Sequence, residues 1–207
     1  MAESETTRLE AFSDGVFAIA ITLLILEIKV PTGAEIQDHG LTRALLERWP
    51  SYLGYVISFM TIGVMWVNHH ALFTYIRRVD RTLMLANLGL LMTVSFLPFP
   101  TAVLAEHLPD AAVRSQAAVF YGLTLVVIAL AFNALWWAGR GRHRLLGGDA
   151  HAGGMRTITF RYGIGPLSYG TATVVAFFNV WVSLAIHFAL ALMYALSERR
   201  LEGEDTP

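Results

Sequence analysis

The 207-residue chain contains no cysteine, which excludes disulfide bonds, thiolate metal ligands and cysteine nucleophiles. Charged residues are also scarce, at 15% of the chain, whereas soluble domains carry about 25%. The formal net charge of −1 offers no basic excess for binding nucleic acid. The first residues, MAESETT, are acidic and polar, so they do not resemble the positively charged start of a cleaved signal peptide.

The sequence contains long, nearly uncharged segments, which are unusual in a soluble protein. Hydrophobic residues make up 55% of the chain and the mean hydropathy is +0.53, which is typical of a protein that crosses the membrane several times. We predict an all-α integral membrane protein with a single domain over residues 1–207. Its six transmembrane helices are expected at about 8–30, 52–76, 82–104, 116–138, 157–177 and 179–196. The last two are separated near Phe178 and Asn179.

Local signals predict where some of these segments begin and end. Thr7 and Glu10 fit a T-x-x-E capping box at the start of the first helix, and Pro31 is expected to end it. The connection 32–50 contains LTRALLERW, which predicts a short helix at the membrane surface, anchored by Trp49 and ended by Pro50. The glycine-rich, basic stretch 139–156 is expected to be a mobile linker.

Lysine and arginine are distributed unevenly over the predicted connections. Eleven of the 15 basic residues fall on the side of the N-terminus and four on the other side. Because cytoplasmic loops carry the excess of basic residues, both termini are expected in the cytoplasm. We therefore predict a multi-pass protein of the plasma membrane.

The short connections leave no room for a soluble catalytic domain. The sequence contains no H-E-x-x-H motif. We therefore predict that the protein is not an enzyme and needs no cofactor or resident metal.

The first helix presents two neighbouring stripes when its residues are placed 100° apart. Ile19, Leu23, Leu26 and Val30 form an apolar stripe, which would face lipid or other helices. The adjacent stripe contains a carboxylate and a hydroxyl, in the order Asp14, Ala18, Thr22 and Ile25. A carboxylate in the membrane is costly unless it is paired or wet, so this stripe is expected to face protein or a water-filled space.

The end of the second span, MWVNHHALF, supplies polar partners for the start of the first helix. The two regions should lie at the same depth, because consecutive spans run in opposite directions. We predict a polar network that ties the two helices together and joins Arg8, Ser13 and Asp14 to His69 or His70. Two alternatives remain open at this point: a proton relay or pH sensor, because histidine titrates near neutrality, and a metal site.

Four further polar residues fall within the predicted spans. Each is expected to form an interhelical hydrogen bond rather than to bind a ligand: Asn87, Asn133, Asn179 and His187. Asn179 also fits the turn between the last two spans.

Two motifs together resemble the transmembrane protein 175 family of endolysosomal potassium channels and their prokaryotic relatives. The first is R-x-x-x-F-S-D at Arg8, Phe12, Ser13 and Asp14, and the second is W-x-x-H-H at Trp66, His69 and His70. The resemblance implies that these seven residues form the network that tethers the helices. It also implies a prokaryotic arrangement, with one six-helix unit per chain and four chains in a homotetramer.

The same resemblance implies roles for residues of the first helix, which lines the pore in that family. Ile19 matches the aliphatic constriction, Leu23 and Leu26 match further apolar rings of the gate, and Thr22 matches a threonine implicated in cation selectivity. Like the family, the chain has no T-V-G-Y-G filter.

Two functional interpretations follow. The first is a potassium-permeable cation channel whose partners are other copies of the chain, the lipid bilayer and monovalent cations. The alternative is a small proton-coupled secondary transporter that uses Asp14 and a histidine as the relay. Transporters commonly contain internal repeats, and this sequence contains none that we can detect.

Overall fold

The computed structural model of the protein describes residues 2–141 and 152–197. This part of the chain contains nine α-helices and one 3-10 turn, Leu24–Glu27, which follows the first helix. The helices are α1 Ala2–Leu23, α2 Gly33–His39, α3 Leu41–Leu46, α4 Trp49–Tyr75, α5 Arg81–Phe96, α6 Pro98–His107, α7 Arg114–Arg140, α8 Ala152–Val175 and α9 Val180–Ser197. The predicted all-α class is confirmed.

Within residues 2–141 and 152–197, four helical segments are long and apolar enough to cross a membrane, judged by length and composition. They are Glu5–Glu27, Leu41–Tyr75, Arg81–His107 and Arg114–Arg140. A shorter apolar helix covers Val180–Ala195. The prediction of a membrane protein with several apolar helices is therefore confirmed.

The ends of the first helix differ from the prediction. Helix α1 begins at Ala2, so Thr7 lies inside the helix and the predicted capping box with Glu10 is wrong. The helix also ends well before Pro31, because the chain tightens into the 3-10 turn after Leu23. The ammonium group of Lys29 donates to the carbonyl of Leu26 at 3.1 Å and satisfies one of the carbonyl groups left free at this end.

The predicted third span is divided into α5 and α6. Proline lacks the N–H group of a helical hydrogen bond and its ring disfavours a continuous helix, so α5 ends before Pro98 and α6 begins with that residue. The amide of Leu97 bonds the carbonyl of Val94 at 3.1 Å, which is the tighter spacing of a final turn. The two helices together form one candidate membrane span, Arg81–His107, which contains the predicted third span 82–104.

The connection 32–50 holds two short helices rather than one. Helix α3 lies within the predicted LTRALLERW segment, but α2 was not predicted. Thr32 and Glu35 form the capping box of α2, and both oxygens of the Glu35 carboxylate accept from Arg48 at 2.7 Å. Trp49 and Pro50 start α4 instead of ending α3, because proline fits the first helical turn, where its missing N–H is not needed.

The predicted linker 139–156 falls mostly on residues 142–151, which lie outside the described residues. The chain returns as α8, which includes residues 152–156 of that prediction.

Helix α7 lies at the centre of the bundle and contacts α5, α6, α8 and α9. Its most extensive partner is α8, and the two approach closely at Gly122. A methyl group at Gly122 would overlap Oγ1 of Thr173. Glycine permits this approach, because a side chain there would require Thr173 or one of the two helices to move.

Helix α8 continues through Pro166, although proline removes a backbone hydrogen bond inside a helix. The carbonyl that loses its partner belongs to Tyr162, four residues earlier. Asn133 of α7 replaces the missing donor, since its side-chain amide bonds that carbonyl at 2.7 Å and the carbonyl of Ala129 at 2.8 Å. The interhelical hydrogen bond predicted for Asn133 is thus present, and it explains how α8 tolerates the proline.

Asn179 and His187 differ in how they bond. The side chain of Asn179 accepts from the amides of Trp181 and Val182 at the start of α9, which agrees with the predicted turn between the last two apolar segments. His187 lies buried between the rings of Tyr121 and Tyr169, and its Nδ1 bonds the carbonyl of Ser183 within its own helix. The interhelical hydrogen bond expected for His187 is not found among the described residues.

Candidate ion pathway and polar clasp

Helix α1 is held in the bundle by one stripe of buried residues. The stripe contacts α4 and α5 and consists of Thr6, Ser13, Phe17, Ala20 and Leu24, which recur every three, four or seven positions. The first of these, Thr6, also donates to the carbonyl of Arg77 at 3.2 Å, which fixes the helix to the α4–α5 connection. The opposite face of α1 is not covered by any other part of the chain that the structure describes.

That uncovered face contains every residue for which the sequence predicted a pore role. Ile19 is 60% exposed and Leu26 is 62% exposed, and Leu23 and Thr22 are also exposed. At 100° per residue, helix positions 19 and 23 lie about 40° apart around the axis. An apolar stripe of this kind must contact lipid or another protein chain, because it would otherwise be exposed to water.

The hydroxyl group of Thr22 is oriented by its own helix. It donates to the carbonyl of Ala18 at 3.0 Å or that of Ile19 at 2.9 Å, so its single proton points toward the backbone. The lone pairs of the oxygen are therefore directed away from the helix. The oxygen of Thr22 is therefore available to accept a contact on the exposed side of α1.

A chain of hydrogen bonds joins α4, α5 and α1 near the middle of α1. Nε2 of His69 lies 2.9 Å from Oδ1 of Asn87, and Nδ2 of Asn87 donates to Oγ of Ser13 at 2.9 Å. The Ser13 hydroxyl donates to the carbonyl of Leu9 at 2.8 Å. All three side chains are fully buried.

The donors in this chain fix the proton positions. Because Asn87 uses its amide nitrogen on Ser13, its oxygen faces His69, and Nε2 of that imidazole must carry the proton. The other ring nitrogen, Nδ1, is buried and has no partner among the described residues. Stacking against Phe73 at 4.6 Å and contact with Phe17 at 5.3 Å surround the ring with apolar groups.

Two more contacts join α1 to α4. Nε1 of Trp66 donates to Oδ1 of Asp14 at 2.9 Å, and Nδ1 of His70 lies 2.7 Å from Oε1 of Glu10. The expected contact between Asp14 and a histidine is therefore absent, since tryptophan takes that position. We call the seven residues of these contacts the polar clasp: Glu10, Ser13, Asp14, Trp66, His69, His70 and Asn87.

Two residues of the predicted network lie outside the polar clasp. Arg8 is exposed and has no hydrogen-bond or ion-pair partner within residues 2–141 and 152–197. Phe12 is 54% exposed and lies on the same side of α1 as Ile19. Conversely, sequence reasoning did not place Glu10 or Asn87 in the network. The only signal for Asn87 was its polarity within an apolar segment, and Glu10 was assigned to a cap that does not form.

No three histidine, aspartate or glutamate side chains of the described segments come together in a way that could hold a metal ion.

The fold and the contacts of α1 define the class of protein: a helical membrane protein in which a polar clasp fixes one helix while an apolar face of that helix remains uncovered.

Comparisons with known proteins identify the family. The sequence profile described as "Endosomal/lysosomal potassium channel TMEM175" matches residues 8–98. A protein of Streptomyces collinus that is named a potassium channel is 48% identical over 195 residues, which are 94% of this chain and 94% of that protein. Another protein named a potassium channel, from Chamaesiphon minutus, is 48% identical over 194 residues, covering 94% of this chain and 95% of that one.

A solved structure agrees with these sequence matches. It is the crystal structure of a lysosomal potassium-selective channel TMEM175 homolog from Chamaesiphon minutus, with a TM-score of 0.84 and 46% sequence identity. The alignment covers 94% of this chain and 98% of that chain. The chain belongs to the TMEM175 family.

Proposed function

We propose that the protein is a potassium-permeable cation channel in which α1 lines the pore at the axis of a homotetramer. The observation that carries this proposal is the unequal burial of the apolar helices. Only 22% of the apolar window in Glu5–Glu27 is buried within the chain, against 50% in each of the other three candidate spans. The names of the relatives, which are potassium channels, agree with it.

Several chains are needed, because one helix cannot enclose a pore. Closed rotational symmetry about an axis beside α1 would cover its exposed face with copies of the same surface. Four copies are the number implied by the family resemblance. We further propose that α8 and α9 complete six transmembrane helices in the plasma membrane, with both termini in the cytoplasm, as the distribution of basic residues indicates.

The apolar side chains of α1 would form the gate. Rings of Ile19, Leu23 and Leu26 would narrow the pore and offer no oxygen atom to replace the water around an ion. Such rings stop ions by steric closure or by dewetting, so opening requires them to move apart or become hydrated. Thr22 is the residue of this face that can offer an oxygen, which supports its role in cation selectivity.

The polar clasp would hold the pore helix in position. The hydrogen-bond chain that starts at His69 ends on the Leu9 carbonyl, which has no proton to pass on. This arrangement supports a tethering role for His69 and disfavours a proton relay through it, as the transporter interpretation would require. Arg8 and Phe12 belong to the family motif, but they would take no part in this tethering of α1.

The decisive measurement is recording from the purified protein in planar bilayers, with potassium on one side and sodium on the other. A channel gives unitary currents and a reversal potential shifted toward that of potassium. A transporter gives saturable flux without unitary currents, and that result would refute the proposal.

Two pairs of variants separate the gate from the selectivity. Ile19→Asn retains approximately the same size and adds a polar group, so it should hydrate the constriction and raise the resting current, whereas the apolar control Ile19→Val should leave the pore closed. Thr22→Val removes only the hydroxyl and should change the potassium-to-sodium permeability ratio, whereas Thr22→Ser retains the hydroxyl and should preserve that ratio. Unchanged currents in Ile19→Asn would move the constriction to Leu23 or Leu26.

Cross-linking tests the ring independently of conduction. The natural chain has no cysteine, so Leu26→Cys introduces a single thiol. Oxidation should trap dimers of neighbouring subunits if α1 lies at the axis. Leu130→Cys is the matched control, since Leu130 is 53% exposed on α7 and should lie away from the axis. A strictly monomeric protein in lipid would exclude the homotetramer.

A further inference from the structure

One basic side chain stands at the C-terminal end of α1. Between Arg8 and Arg43 the sequence contains a single lysine or arginine, which is Lys29. It follows the 3-10 turn Leu24–Glu27, and its ammonium group reaches back to within 3.1 Å of the Leu26 carbonyl oxygen. The last carbonyl groups of a helix lack backbone donors and carry partial negative charge, so they attract cations. Lys29 therefore fixes a positive charge at this end of the helix.

The charge of Lys29 lies on an exposed part of the chain. Its side chain is 72% exposed, and the nearby Leu26 and Val30 are 62% and 84% exposed. Leu26 is also the last of the three apolar rings proposed for the gate. Because the ammonium group is hydrogen-bonded to the backbone of Leu26, its charge stays beside that ring.

The other charged groups near Lys29 are mostly acidic. A cleft of about 400 Å³ beside the end of α1 and α6 is lined by three carboxylates and two basic groups, which sum to a charge of −1: Glu27, Glu47, Glu106, Lys29 and Arg48. The Glu27 carboxylate lies 3.9 Å from the ammonium group, which is too far for a hydrogen bond. Without Lys29 the same lining would carry a charge of −2, which would attract cations more strongly.

We propose that Lys29 limits the entry of potassium at the end of the pore beyond Leu26, an inference that rests on the proposed function. In the proposed ring, each chain contributes one ammonium group to this end of the pore, and these like charges lower the local concentration of cations. The same ammonium groups occupy the Leu26 carbonyls, which could otherwise offer oxygen atoms to an ion. Glu27 acts in the opposite direction, because its carboxylate attracts cations.

A cap for α1 is the competing explanation of Lys29. A cap requires only a hydrogen-bond donor, whereas an effect on potassium entry requires charge. The range of a charge depends on salt, since the Debye length is about 30 Å at 0.01 M and about 3 Å at 1 M ionic strength. A charge effect on the current should therefore disappear at high salt, whereas a change in the structure of the pore should persist.

The test is the unitary current of the full chain in planar bilayers, at about 0.01 M and about 1 M potassium chloride. Lys29→Gln retains a donor and removes the charge, so it should raise the current that enters from this end about twofold at low salt and leave it unchanged at high salt. Glu27→Gln should lower the current at low salt. Arg114→Gln is the matched control and should have no effect, because Arg114 is predicted on the same side of the membrane but lies on α7, which contacts α5, α6, α8 and α9.

Chemical modification in the inserted channel tests the charge even if a charge variant does not fold. The natural chain has no cysteine, so Lys29→Cys provides a single thiol. A methanethiosulfonate reagent that adds a trimethylammonium group should lower the current, and one that adds a sulfonate should raise it. A neutral reagent of similar size measures the steric contribution, and the side from which the reagents act identifies the outer end of the pore.

Four results would overturn the inference about Lys29. Two are an unchanged low-salt current in Lys29→Gln, and a change that is equally large at high salt. A third is the same response of Lys29→Cys to the cationic and the anionic reagent. The fourth is dissociation of the oligomer in Lys29→Gln, which would assign the lysine to a contact between copies.

The unmodified protein distinguishes this inference from the proposed function. Absence of unitary currents in it would refute the proposed function together with the role of Lys29. Normal unitary currents that do not respond to the charge at position 29 would refute the role of Lys29 alone.

Discussion

Replacement of Asn133 by leucine should destabilise the protein chiefly because position 166 is proline. The Asn133 side chain supplies the donor that Pro166 cannot supply to the Tyr162 carbonyl, at 2.7 Å. Leucine has a similar volume and no donor, so the hydrogen bond from Asn133 to this carbonyl is lost. Removal of one partner of a buried hydrogen bond costs about 1–3 kcal/mol.

The magnitude can be bounded more closely for a membrane bundle. Interhelical hydrogen bonds between side chains in membranes contribute about 0.6 kcal/mol on average and at most about 1.7 kcal/mol, because polar groups find other partners in the unfolded state. While residue 166 is proline, its missing backbone N–H cannot replace the donor that Asn133 supplied to the Tyr162 carbonyl. We therefore expect a loss of about 1–2 kcal/mol in the free energy of unfolding for Asn133→Leu.

A double-mutant cycle measures this dependence. Pro166→Ala restores the backbone N–H to the Tyr162 carbonyl, so Asn133→Leu should cost less than about 0.5 kcal/mol in that background. The assay is reversible unfolding in mixed micelles, followed by tryptophan fluorescence. Leu167→Ala is the control background, because Leu167 is 72% exposed next to the proline, and it should leave the cost of Asn133→Leu unchanged. The same cost in both the proline and the alanine background would show that our explanation of α8 is incorrect.

Gly122→Ala should destabilise the α7–α8 contact by about 1–3 kcal/mol, because its methyl group would overlap the threonine that faces it, whereas Gly170→Ala, with no atom within 4 Å, should be neutral or stabilising in thermal denaturation. The pKa of the Glu35 carboxyl is lowered below its usual range, mainly by hydrogen bonds from the backbone and hydroxyl of Thr32 and further by Arg48. A carboxyl with a lowered pKa in the folded state stabilises the protein above its unfolded pKa and loses this contribution as the pH falls through the folded pKa. Arg48→Gln should raise the pKa of Glu35 only part of the way, since the Thr32 amide remains, and NMR titration of this carboxyl measures it; an unchanged pKa would exclude the proposed contribution of Arg48.

The sequence was sufficient to predict the helical class and the approximate extent of the long helices. Helices α4 and α7 lie close to the predicted segments 52–76 and 116–138. A bilayer requires uninterrupted apolar segments of a fixed length, and such segments can be recognised from the amino-acid sequence alone. The turn before α9 was also predictable, since Asn179 caps the following helix through a local contact. Local motifs were less reliable at Thr7 and Pro31, where tertiary contacts extend α1 at its start and a 3-10 turn shortens it at its end.

The sequence by itself also determined the family, through R-x-x-x-F-S-D and W-x-x-H-H, and the apolar stripe of α1, since helical periodicity fixes which residues share a face. Only the tertiary structure decided which side chains meet. The pairing of Asp14 with Trp66, and of His69 with Ser13 through Asn87, depends on the rotation and depth of three helices relative to one another. Residues that adjoin in space but are 18 to 74 positions apart in the chain leave no periodic signal, because packing of the whole bundle sets their register.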